Sequence, residues 1–196
     1  MSNRLELVSR LIQIAEPLFQ SERLPQAGRW VATQVFRRLE AFSDDGTRHH
    51  ARYPACDWLE TALAPHTERQ TEFSPIAEAI RALEPHLSWS RRMSGRDGSV
   101  DYVEKHVHGM ICGPGGTESR LDVQLGFSIM APHVRYPDHS HPPEEAYVLL
   151  TSGQFRQLDG DWFDPGIGGG IHNAPSNQHA MKSGELPFLA LWCLLM

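Results

Sequence analysis

A chain of 196 residues, 40% hydrophobic and 21% charged, can bury one sizeable core, as a single domain or a barrel with an added subdomain. Eighteen Lys and Arg against 24 Asp and Glu give a formal net charge of −6, which repels a phosphate backbone and argues against nucleic acid as a partner. Cys56, Cys112 and Cys193 are widely spaced with no CxxC pair, so neither a disulfide framework nor a zinc knuckle is expected, and a reducing cytoplasm suits the chain.

Glu6, Arg10, Gln13 and Glu16 interrupt the N-terminal apolar stretch, which therefore reads as neither a signal peptide nor a membrane span. Leu5, Val8, Leu11, Ile12, Ala15 and Phe19 recur at three- and four-residue steps and predict a first helix. Val31, Val35, Leu39 and Phe42 predict a second, ended by the turn Ser43-Asp44-Asp45-Gly46. A short helix is expected around Trp58 to Leu63. Another is expected after Ser74 as N-cap, with Pro75 at its first position, Pro85 beyond its end and Ile76, Ala79, Ile80 and Leu83 buried.

Near residue 95 the period changes from helical to two. Val103 to Ile111 reads as a strand, and Leu121, Val123, Leu125, Phe127 and Ile129 alternate with polar or small residues, as in a half-buried strand. Ala146–Leu150, Gln154–Leu158 and Phe188–Met196 read as further strands between Gly-containing turns. The fold class expected is mainly β with an α-helical N-terminal part: an antiparallel barrel or jelly roll, residues 96–196, with helices of residues 1–95 packed on it.

Of eleven histidines, seven follow residue 100, and imidazole is the commonest protein metal ligand. The densest chemical stretch is Tyr136-Pro-Asp-His139-Ser-His141-Pro-Pro-Glu144-Glu145-Ala-Tyr147. On an extended chain Glu145 and Tyr147 share one face, and His141 approaches from the preceding turn. His179 lies downstream, before another strand. Two imidazoles and a carboxylate suit a divalent transition metal with open positions, and a Tyr147 phenolate could add a fourth donor.

The pattern Tyr136-x2-His139-x-His141-x3-Glu145-x-Tyr147, with His179 downstream, resembles the cupin-type dimethylsulfoniopropionate (DMSP) lyases of the DddQ type, within the cupin superfamily. That resemblance implies a cupin-type barrel whose His141, Glu145, Tyr147 and His179 hold one divalent metal, iron, manganese, zinc or cobalt. It also implies that Tyr136 and His139 line the pocket. The implied reaction is base-catalysed β-elimination, releasing dimethyl sulfide and acrylate from a small zwitterionic sulfonium carboxylate. Tyr147 and Tyr136 are the two candidate bases, with Tyr147 expected nearer the metal.

The sulfonium end asks for aromatic faces, and Tyr102, Trp162 and Trp192 are available. His106 and His108 are expected to be structural or rim residues and His172 a loop residue. Arg91-Arg92-x3-Arg96 reads as a solvated loop that could attract an anion. Two other readings use the same donors: an iron(II) cupin dioxygenase acting on a small carboxylate or thiol, and a metal-holding sensor without turnover. No nucleic-acid or membrane partner is expected, and the chain is read as a monomer or homodimer.

Overall fold

The apolar steps of the N-terminal part do become helices. The computed structural model, which describes residues 4–46, 52–93, 95 and 97–196, has α1 at Glu6–Phe19, α2 at Gln26–Leu39, α3 at Trp58–Glu68 and α4 at Ser74–Leu83. The first helix buries Val8, Leu11, Ile12, Ala15 and Phe19, with Leu5 at its N-cap. The second ends at Leu39, so Phe42 lies beyond it. Ser74 does not cap α4. It is the first helical residue, Phe73 holds the cap position, and the Ser74 hydroxyl donates to the His66 carbonyl at 2.7 Å. No helix among the described residues is long and apolar enough to cross a membrane.

Two short strands precede the barrel's main run, β1 at Asp44–Asp45 and β2 at Ser88–Ser90. A single turn of helix, α5 at Tyr102–Lys105, then takes the place of the expected strand start at Val103. It leads into β3 at His106–Cys112, β4 at Glu118–Ser119 and β5 at Val123–Met130. The chain continues through β6 at Arg135–His139, β7 at Glu144–Leu149 and β8 at Gln154–Gln157. It closes with β9 at Gly170–Asn173, β10 at His179–Lys182 and β11 at Phe188–Leu195. His172 is therefore a strand residue, not a loop residue, because β9 pairs in register with β7.

The large sheet runs β1-β4-β3-β5-β11-β7-β9, with β2 also paired to β3, and a smaller sheet runs β6-β10-β8. Pairing is antiparallel except for the brief β3–β4 contact. Trp89 of β2 pairs with Gly109 of β3, so barrel structure begins upstream of residue 95. Strand alternation sends Val123, Leu125, Phe127 and Ile129 of β5, with Leu189, Leu191 and Cys193 of β11, into one core with α1 to α4. The opposite faces, including Tyr147, Ala190, Trp192 and Leu194, join Tyr136, Phe155 and Met181 of the small sheet in a second core. The two sheets thus close as a barrel, with the helices on its outside. The half-buried reading of β5 is corrected by this packing, since its second face meets the barrel interior instead of water. Leu121, expected in that strand, lies before it and is 82% exposed.

Candidate metal centre

Three strands bring the donors together. His139 at the end of β6 pairs across the ladder with His179 at the start of β10, and their ring centroids are 4.0 Å apart. His141 sits in the turn after β6, and Glu145 is the second residue of β7. Each of the three imidazoles is oriented in the same way. Nδ1–H donates to a main-chain carbonyl two residues away: Pro137 for His139, Pro143 for His141 and Asn177 for His179, each at 2.9 Å. That fixes the tautomer and leaves Nε2 as the available lone pair, the usual arrangement behind a metal-binding histidine.

The Glu145 carboxylate, 3% exposed, meets these rings. Its Oε2 lies 3.1 Å from His141 Nε2 and 3.3 Å from His179 Nε2, and it accepts a hydrogen bond from Asn173 Nδ2 at 3.1 Å. Burial alone would raise the Glu145 pKa, but the flanking His141 and His179 outweigh it and hold the carboxyl well below its ordinary range. Burial pushes His139 down to about 3, with His179 adding to the effect. Burial, followed by the charge of Glu145, raises the pKa of the Tyr147 phenol well above 10.

The donor set fits a metal ion. Ligand bonds of about 2.0–2.2 Å put neighbouring donors roughly 3 Å apart, as Glu145 Oε2 is from both Nε2 atoms. Donor atoms of His139, His141 and His179 all lie within 4.8 Å of one another. His179 Nε2 is buried yet has no aligned hydrogen-bond partner, a costly state for a polar atom unless a cation completes it. His139 therefore stands among the possible donors, closer to the centre than a pocket-lining role requires.

Tyr136, His139, His141, Glu145, Tyr147 and Trp192 line one cavity of about 320 Å³, which also takes in Arg92, His108, Met110 and Leu194. His179 is buried behind this wall, against His139. Tyr102 does not line the cavity: it stacks on His106 and meets the edge of Tyr136, with centroids 5.3 and 6.1 Å away. The Trp162 ring is covered by the protein's own cations, Arg135, Arg156 and Lys182, so it is not a face for a sulfonium. His172 binds Glu144 Oε1 through Nε2 at 2.7 Å, apart from the donors.

His108, expected as a structural or rim residue, lines the cavity and places Nε2 3.1 Å from the Tyr136 hydroxyl and Nδ1 2.7 Å from Ser128 Oγ. Sequence reasoning missed Asn173, whose role depends on the β7–β9 register. Arg96 lies outside the described residues, whereas Arg91 pairs with Glu104 at 2.8 Å.

The family model for dimethylsulfoniopropionate lyases matches residues 27–190. The DMSP lyase DddQ of Ruegeria pomeroyi is 24% identical over 124 residues, 62% of this chain and 61% of that protein. A DddL protein of Cereibacter sphaeroides is 31% identical over 84 residues, 43% of this chain and 35% of that protein. Each match spans less than two thirds of the curated relative. The crystal structure of DddQ from Ruegeria pomeroyi DSS-3 superimposes with a TM-score of 0.71 at 19% identity, covering 97% of this chain and 91% of that one. A structure from work on the DMSP lyases RdDddP and RnDddQII gives 0.69 at 19% identity, with 97% and 92% covered. These superpositions show a shared fold, and the family model spans most of the sequence, from the second helix into the last strand: the chain belongs to the dimethylsulfoniopropionate lyase family.

Proposed function

We propose that the cavity cleaves DMSP to dimethyl sulfide and acrylate by β-elimination. The convergence of His141, His179 and Glu145 beside two cavity-lining tyrosines carries this reading. His141, Glu145, Tyr147 and His179 would hold one divalent transition ion, with His139 as a further donor in reach. Bound there, such an ion supplies Lewis-acid charge that steadies the electrons gathering on the substrate carboxylate and favours phenolate over phenol nearby.

The remaining chemistry belongs to the chain. A tyrosine oxygen takes the proton from the carbon next to the carboxylate. The electron pair of that C–H bond becomes the new C=C bond as the C–S bond breaks. Sulfur keeps the C–S pair and departs as neutral dimethyl sulfide, so no general acid is needed. Tyr147 is the favoured base because it stands two residues from Glu145 on the same inward face of β7; Tyr136 is the second candidate. The Trp192, Tyr136 and Tyr147 rings bordering the cavity offer π faces to the sulfonium, each worth about 0.5–2 kcal/mol when well placed.

Headspace detection of dimethyl sulfide from purified protein, with and without chelator, tests the activity. Metal analysis of His141→Ala and His179→Ala tests the ligand set. Both variants should stay folded, lose most of their metal and lose turnover by roughly three orders of magnitude, as removal of several kcal/mol of transition-state stabilisation requires. Parental metal content in both would overturn the ligand assignment. No dimethyl sulfide from the metal-loaded parent would overturn the activity.

A further inference from the structure

Four side chains from four strands form one hydrogen-bonded chain through the barrel interior: Trp192 of β11, Ser128 of β5, His108 of β3 and Tyr136 of β6. The indole lies over Gly126, whose missing Cβ makes room for it. Its Nε1–H can only donate, and it does so to Ser128 Oγ at 2.9 Å. Ser128 stands directly opposite His108 in the β3–β5 ladder, with its Oγ 2.7 Å from His108 Nδ1. His108 Nε2 then lies 3.1 Å from the Tyr136 hydroxyl. Because β3 and β6 belong to different sheets, this last bond ties the large sheet to the small one.

The directions of these bonds follow from chemistry. Burial, with His106 and His139 adding to it, pushes the His108 pKa down to about 3, so the imidazole is neutral, with one N–H and one lone pair. With the indole donating to Ser128, the hydroxyl proton is directed to His108 Nδ1. The imidazole proton is left on Nε2, where it donates to Tyr136 Oη. Donation thus runs one way, from Trp192 to Tyr136, and both ends of the chain are aromatic rings that line the cavity. In the sheet order β3-β5-β11-β7, the Ser128–His108 pair lies across β11 from Glu145 on β7. The braced rings therefore border the part of the cavity that the substrate's remote end would reach when its carboxylate is held at the donors.

We propose that Ser128 and His108 are positioning residues that fix the Trp192 and Tyr136 rings against each other, so that the sulfonium meets a preformed pair of aromatic surfaces. That the substrate is a sulfonium rests on the lyase reading above; the coupling of the two rings does not. Rings already held in place spare binding the cost of ordering them. The positive charge on sulfur disappears as the C–S bond breaks, so the pair contributes more to holding the substrate than to lowering the barrier.

The test uses metal-loaded protein and two probes: trimethylsulfonium, a sulfonium without a carboxylate, and acrylate, a carboxylate without a sulfonium. Calorimetry measures each on the parent, Ser128→Ala, His108→Leu, His108→Gln, Tyr136→Phe and the double variant His108→Leu with Tyr136→Phe, beside KM and kcat on DMSP and thermal unfolding. Ser128→Ala and His108→Leu should weaken trimethylsulfonium binding about two- to thirtyfold, the range one well-placed aromatic face supplies, and leave acrylate binding unchanged. KM should rise more than kcat falls. His108→Gln, whose amide can accept from Ser128 and donate to Tyr136, should recover part of the affinity. In the double variant the two losses should combine to less than their product, because no hydroxyl is left for His108 to hold. Losses that multiply in full would overturn the proposal, since the two residues would then act separately. So would equal losses for both probes, or parental trimethylsulfonium affinity in Ser128→Ala and His108→Leu alike. Should His108→Leu fail to fold, Ser128→Ala combined with Tyr136→Phe carries the same comparison. If the parent released no dimethyl sulfide but bound trimethylsulfonium through a coupled His108 and Tyr136, the lyase reading would fall and this one would stand. The reverse pattern would strike this inference alone.

Discussion

The two faces of the large sheet are both buried, yet they are built for different purposes. Toward the helices, β5 presents Val123, Leu125, Phe127 and Ile129, and β11 presents Leu189, Leu191 and Cys193. Toward the barrel interior the same strands present Gln124, Gly126 and Ser128, and Ala190, Trp192 and Leu194. The first face is buried against protein and gains from every apolar contact. The second is buried around a cavity, so polar atoms survive there only in hydrogen-bonded sets such as Trp192–Ser128–His108. Even its glycine has a packing reason, since a Cβ on Gly126 would meet the Trp192 ring at 2.5 Å. One face holds the fold and the other lines the cavity in which we place the chemistry, and substitutions on each should separate the two.

The strongest way to break this division is to remove the helices. Without them Val107, Ile111, Phe127, Val148 and Leu191 lose the partners that cover them, and β3 loses β2. Residues 100–196 alone should therefore fail to give a soluble, cooperatively unfolding protein. A sharp thermal transition from that fragment would show that the barrel is an independent domain and that the outer face needs no cover.

Next in size is the chemistry of the inner face. Phenylalanine keeps ring volume and removes only the hydroxyl, so Tyr147→Phe and Tyr136→Phe should unfold at nearly the parental temperature. General-base catalysis supplies about 10²–10⁴ in rate, and the variant lacking the base, expected to be Tyr147→Phe, should lose that much kcat. The other should show mainly a higher KM. Metal content must be measured beside the rate, because Tyr147 is also a proposed ligand. If both variants kept parental kcat on DMSP, neither phenol would be the base.

How much of this division could be read from residues alone depends on which face is asked about. The period-two run of β5 and the parity of Phe188, Ala190 and Trp192 were legible, because strand alternation is local. What covers each face was not, and so the face with Gln124 and Ser128 read as solvent-exposed. The donors His141, Glu145 and His179 were legible through their residue types and spacing. Their neighbour His139 gained its place from an antiparallel pairing with His179, four strands later in the chain. Trp162 misled for a related reason: an aromatic is visible in a sequence, but the cations covering it come from β6, β8 and β10.

A smaller effect should follow on the outer face. Leu191 is fully buried beneath the helices, one residue from Trp192 but on the opposite side of β11. Leu191→Ala should cost about 2–5 kcal/mol of stability, the usual range for a cavity left in a packed core, read as a lower denaturant midpoint. Metal content and kcat of the folded fraction should stay parental. A loss of turnover larger than the loss of folded protein would mean that the two faces are mechanically coupled through the strand.

The mildest prediction concerns a residue that touches the centre without belonging to it. Asn173 is fully buried and paired with Glu145 across β7 and β9. Its Nδ2 donates to Glu145 Oε2 at 3.1 Å, and its Oδ1 accepts from Gln157 Nε2 at 2.7 Å. The Gln157 contact sets the amide orientation, so the donor faces the carboxylate. Asn173→Ala removes that donor and leaves Glu145 free to rotate away from His141 and His179. Loss of such a supporting hydrogen bond typically weakens metal affinity about 10- to 100-fold, to be read by competition with a chelator. Gln157→Ala acts only through Asn173 and should give a smaller shift in the same direction. The expected order is therefore parent tightest, Gln157→Ala next and Asn173→Ala weakest, with activity restored to each by excess metal. Parental metal affinity in Asn173→Ala would show that the strand backbone alone positions Glu145, and that the inner face owes its geometry to the fold more than to its hydrogen bonds.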